Sequence, residues 1–155
     1  MNKWDKHFLD MCLFVAAKSK DPSTQVGAVI VGPDNEVRGT GYNGFSRGIK
    51  DTPERLNNRD LKIKLVVHAE MNAILAAARV GIQIKDCTLY VWARDVKTGQ
   101  TWGGPPCIRC AVELIQAGIA EVRAPIPLGI PERWVADLNA ARELLLEAGV
   151  KYVEL

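Results

Sequence analysis

Leu65-Val66-Val67-His68-Ala69-Glu70-Met71-Asn72-Ala73-Ile74-Leu75-Ala76-Ala77-Ala78-Arg79-Val80-Gly81 is the stretch on which the reading of this chain turns. Its apolar, alanine-rich course from Leu65 to Val80 predicts a mostly buried helix, and Gly81 supplies a C-terminal stop. His68 and Glu70 are the exceptions in it. Two residues apart on a helix, they cannot point in the same direction.

Working outward, Cys87 to Trp92 predicts a strand, and Arg94 to Gly104 a polar loop. Pro106-Cys107-Ile108-Arg109-Cys110 follows, opening a helix over 107–117 that stops at Gly118. Cysteines at i and i+3 share a helix face. At a helix start, the positive end of the peptide dipoles favours their thiolates. His68, from a neighbouring helix, completes a set of two sulfurs and one imidazole. That set suits zinc better than a hard cation. Three protein ligands leave one tetrahedral position for water, the catalytic arrangement of zinc. Glu70 can reach that water and move its proton. A His-x-Glu followed by Pro-Cys-x-x-Cys is the signature of zinc deaminases. A structural zinc site would need a fourth ligand. The candidates are Cys12 and Cys87, both in apolar surroundings and read as core residues, and His7, read as a solvated helix residue.

The rest of the chain predicts a scaffold for these motifs. Trp4, Phe8, Met11, Cys12 and Val15 recur at helical spacing, giving a first helix over 3–19 that ends at Asp21-Pro22. Gln25–Val31 and Glu36–Tyr42 form a hairpin across Gly32-Pro33-Asp34-Asn35. Residues 43–64 read as a long functional loop with a short helix. Ala120–Ala124 is a short strand, 131–148 a last amphipathic helix, and Lys151–Glu154 a terminal strand. The order implies helices packed on a mixed sheet, α/β, in one domain over residues 1–155.

Composition sets bounds. The 155 residues are 48% apolar and 25% charged, as in a globular protein, and 20 basic against 18 acidic residues give +2. So small an excess argues against a nucleic-acid polymer or an anionic membrane as partner. No signal peptide and no membrane-spanning stretch is legible, so a cytoplasmic protein with reduced thiols is expected.

The chain resembles the deoxycytidylate (dCMP) deaminases of the cytidine deaminase superfamily. The resemblance runs from Asp21-Pro22-Ser23-Thr24 to Gly118. It is carried by Val26-Gly27-Ala28-Val29-Ile30-Val31, Gly41-Tyr42-Asn43-Gly44-Phe45-Ser46-Arg47-Gly48, the His68 segment, Thr88-Leu89-Tyr90-Val91 and the two-cysteine motif. Free-cytidine deaminases typically have cysteine where His68 stands. Transfer-RNA adenosine deaminases usually keep a shorter connection before the histidine. The resemblance implies a three-layer α-β-α sandwich around a mixed sheet of about five strands, and hydrolysis of dCMP to dUMP and ammonia for thymidylate synthesis. It implies zinc on His68, Cys107 and Cys110, with Glu70 as the proton carrier. Asn43 would bind the sugar, the backbone at Ala69 the base, and Ser23 and Thr24 would lie near the nucleotide. It further implies a hexamer activated by dCTP and inhibited by dTTP, with effector contacts at Gly44, Phe45, Arg47, Gly48 and Asp51. Ser46 departs from the proline frequent in the family. A tRNA or other nucleobase deaminase and a non-catalytic zinc-stabilised binding protein are the competing readings.

Overall fold

A computed structural model describes all 155 residues. Helix α1 (Lys3–Ala16) opens on Asn2, whose side chain accepts from the Trp4 and Asp5 backbones while Asp5 caps Asn2 in return. Strands β1 (Thr24–Val31) and β2 (Val37–Tyr42) form the expected antiparallel hairpin, with an irregularity at Ile30/Val31. Strand β5 (Thr88–Asp95) pairs antiparallel with β1, while β7 (Glu121–Ala124) and β8 (Lys151–Glu154) continue the sheet in parallel. The central order is β2-β1-β5-β7-β8.

The period of two along the strands divides the core. Ala28 and Ile30 of β1 and Leu89 and Val91 of β5 face α4 (Ala69–Arg79), α5 (Ile108–Gln116) and α6 (Glu132–Glu147). Val29, Val31 and Tyr90 face Phe8, Leu9 and Cys12 of α1. The result is the three-layer sandwich with a mixed sheet that the resemblance implies. Two glycines let the layers close. A Cβ on Gly27 would stand 1.8 Å from the Cys12 carbonyl oxygen, and one on Gly41 would stand 2.1 Å from that of Ala69.

Three stretches differ from the sequence reading. The helix expected over 65–80 starts only at Ala69. Val66–Val67 form a short strand, β4, against β3 (Gly44–Phe45), because β-branched residues with a partner ladder prefer extended backbone. The loop expected over 43–64 contains two helices, α2 (Pro53–Asn57) and α3 (Arg59–Leu65). Thr52 and Asn58 accept a first-turn N–H in each. The loop expected over 94–104 is a hairpin, since β5 runs on to Asp95 and β6 (Thr101–Trp102) returns beside Ala93 and Arg94. The Asp95 carboxylate closes that turn on the Lys97 and Thr98 N–H groups.

Candidate metal centre

The shift in where α4 begins sets the position of His68. With φ −69° and ψ 159° it is the N-cap of α4, extended, and its side chain makes no capping bond. Cys107 is likewise the extended N-cap of α5 and Cys110 lies in that helix's first turn. The three residues therefore meet where two helix N-termini converge. His68 Nδ1 lies 3.3 Å from Cys107 Sγ and 3.4 Å from Cys110 Sγ, and all three ligand atoms lie within 4.8 Å of one another.

Glu70 follows in the first turn of α4 and is only 5% exposed. Burial pushes its carboxyl pKa up, and the neighbouring Cys107 adds to that rise. His68, the residue's own backbone N–H and the Cys110 thiol pull it down. The Cys107 thiol is driven toward thiolate by hydrogen bonding to Cys110, with His68 as a second support. Hydrogen bonding to Cys107, with the Glu70 and Cys107 charges adding to it against the cost of burial, in turn pushes the His68 imidazole pKa up to about 9. Cys110 keeps its proton, because Cys107 accepts from it and burial disfavours a second charge. A cation entering the cluster would displace these protons.

The remaining candidate residues fall into two groups. Asn43 is buried, and its amide bonds to β1: Oδ1 accepts from the Val26 N–H at 2.8 Å and Nδ2 donates to the Thr24 carbonyl at 2.8 Å. Ala69 is buried beneath Gly41. Ser23 is exposed, and Asp21 accepts from the backbone N–H groups of Ser23 and Thr24. Gly44 and Phe45 form β3, while Arg47 and Gly48 are exposed. Asp51 pairs with Lys20 at 2.9 Å. Cys12 and Cys87 are buried in the core and His7 is exposed, as the sequence reading has them.

Two residues around the site were not legible in the sequence. Ser19 is buried and donates at 2.7 Å to the Asn43 carbonyl. Asp137 on α6 accepts at 3.0 Å from the Ile108 N–H, the first of α5. Both contacts link residues far apart in sequence, so no local spacing marks them.

Comparison with known proteins agrees with this geometry. Residues 2–124 match the family model described as the cytidine and deoxycytidylate deaminase zinc-binding region. The deoxycytidylate deaminase of Homo sapiens is 38% identical over 155 residues, covering 97% of this chain and 78% of the relative. An uncharacterized deaminase in the luxG 3' region of Aliivibrio fischeri is 34% identical over 152 residues, covering 97% of this chain and 92% of the relative. In fold, the dCMP deaminase of cyanophage S-TIM5 in complex with dCMP and dUMP aligns with a TM-score of 0.70 at 20% identity, covering 100% of this chain and 99% of that one. The chain belongs to the cytidine and deoxycytidylate deaminase family.

Proposed function

We propose that the protein, acting as one domain over residues 1–155, hydrolyses dCMP to dUMP and ammonia with a zinc ion held by His68, Cys107 and Cys110. The observation that carries this reading is the convergence of His68 Nδ1 on two sulfurs beside the buried Glu70. The donor set fits zinc. Bonds of about 2.3 Å to sulfur and about 2.0 Å to nitrogen at a tetrahedral angle place N and S roughly 3.5 Å apart. The observed separations are 3.3 and 3.4 Å. No helix of the chain is long and apolar enough to cross a membrane. The reading includes a cytoplasmic enzyme whose four free cysteines stay reduced.

Zinc bound there would polarise a water molecule and bring its pKa to about 7. The chain supplies the proton traffic. Glu70, in a buried setting that raises its carboxyl pKa, takes a proton from the attacking water and delivers it to N3 of the cytosine ring. With the water oxygen added to C4, Glu70 takes the remaining hydroxyl proton and hands it to the C4 amine, so that the C4–N bond breaks, ammonia departs and the carbonyl of uracil forms. The first turn of α4 presents the backbone at Ala69 to the base. The β1 entry, which Asn43 clips in place, presents Thr24 and Ser23 to the nucleotide. Support for dCMP as substrate comes from the human deoxycytidylate deaminase at 38% identity over nearly the whole chain.

The same reading extends to a homo-oligomer, a hexamer, responsive to dCTP and dTTP through the segment from Gly44 to Asp51. In its favour, Arg47 and Ser46 share a surface cavity of about 430 Å³ with Arg79, Asn72 and Leu75. Two guanidiniums beside an apolar wall suit a phosphate-bearing ligand.

Ammonia release by the purified protein, measured with dCMP, deoxycytidine and a tRNA anticodon stem-loop, each with and without dCTP, tests the proposal. Turnover of dCMP alone, rising with dCTP, is the expected result. Turnover of the RNA alone would replace the substrate with a nucleic acid.

A further inference from the structure

The helix α5 begins with a difficulty created by its own chemistry. A helix leaves its first N–H groups without intrahelical acceptors, and the N-cap side chain ordinarily takes one of them. The N-caps Asn2, Thr52 and Asn58 of α1, α2 and α3 do this. Cys107 does not: its side chain makes no capping bond, because the sulfur is turned toward His68. No acidic residue stands in the first turn of α5 either. The acceptor comes instead from α6, where Asp137 Oδ2 takes the Ile108 N–H at 3.0 Å across a sequence separation of 29 residues.

We propose that Asp137 is a positioning residue for the metal centre, holding the turn Cys107-Ile108-Arg109-Cys110 so that both sulfurs face His68 Nδ1. The inference rests on the zinc reading given above. Ile108 is the residue immediately after one ligand and two before the other. Fixing its peptide fixes the path by which the chain passes between the two sulfurs. The carboxylate also complements the positive end of α5, so the turn keeps its helical start without using either thiolate as a cap. Partners that orient ligands from outside the coordination sphere typically contribute roughly 10–100-fold in metal affinity.

The test is zinc affinity, measured by competition with a chromophoric chelator, for the wild type, Asp137→Ala and Asp137→Asn. The cobalt(II) absorption spectrum of each serves as a readout of thiolate geometry. The expected result is zinc binding weakened roughly 10–100-fold in Asp137→Ala with altered cobalt bands, and largely restored in Asp137→Asn, whose amide oxygen can accept the same N–H. Asp137→Ala binding zinc within about twofold of wild type with unchanged cobalt bands would overturn the proposal, even if its melting temperature fell, because the carboxylate would then cap the helix and do nothing for the metal. A wild type that binds no zinc would overturn the zinc reading itself, and this proposal with it.

Discussion

Tyr90 Oη on β5 donates a 2.9 Å hydrogen bond to Asp5 Oδ1 at the start of α1, 85 residues earlier in the chain. Arg123 of β7 donates to the same oxygen, so two strands of the sheet are tied to the one helix on that face. Burial by itself would raise the Asp5 pKa. The Asn2 N–H, Arg123 and Tyr90 together outweigh it and hold the carboxyl below its ordinary value of 3.8. A group depressed in the folded state stabilises above its unfolded pKa and stops doing so as pH falls through the lower folded one. Urea titrations should therefore show stability falling below pH 3.8, and Asp5→Asn should flatten that decline. Arg123→Ala should cost about 1–3 kcal/mol, since the Asp5 carboxylate loses its charged partner but keeps the Asn2 N–H and the Tyr90 hydroxyl, and Tyr90→Phe about 1 kcal/mol.

Glu70→Gln should fold and take up zinc like the wild type while its turnover falls by about 10²–10⁴-fold, the usual worth of a positioned proton carrier. Zinc content by elemental analysis and ammonia release measured on one preparation separate the two effects. Turnover near the wild-type rate would remove Glu70 from the proton-carrying role.

Cys107→Ala should lose stoichiometric zinc. Chelation of the wild type should abolish turnover, and added zinc should restore it. In the metal-free protein His68 stays protonated up to about 9 and Cys110 keeps its thiol proton. Both protons must leave when a metal binds, so zinc affinity should rise between about pH 6 and about pH 8, with measurable proton release in weakly buffered calorimetry. Affinity independent of pH would contradict this protonation pattern.

Asn43→Ala should lower stability by about 1–3 kcal/mol, because the Val26 N–H and the Thr24 carbonyl both lose their partner. The start of β1 lies beside the expected nucleotide site, so KM should rise more than kcat falls. An unchanged KM in a destabilised variant would make Asn43 purely a clip of the fold.

Much of this was legible locally. The β-branched run of β1 and the Asn43, His68 and Cys107 motifs are short-range patterns, and the burial of Cys12 and Cys87 follows from their apolar neighbours. The start of α4 was not. Leu65-Val66-Val67 reads as helix because it continues the apolar, alanine-rich run to Val80, yet pairing with Gly44-Phe45 makes Val66 and Val67 a strand. One short helix was legible within 43–64; that there are two, Pro53–Asn57 and Arg59–Leu65, was hidden by their polarity, which solvent-exposed surfaces permit.

The sequence by itself determined which side chains could carry the chemistry: one imidazole, two thiols at helical spacing and one carboxylate, in the order and context of a deaminase. Only the tertiary structure decided that His68 and Cys107 stand at helix N-caps, with His68 Nδ1 facing both sulfurs, and that Asn43, Asp5 and Asp137 serve partners on other elements. The reason is physical. Residue type and local periodicity are properties of a few neighbouring positions, whereas a hydrogen bond across 29 or 85 residues exists only once the layers have packed.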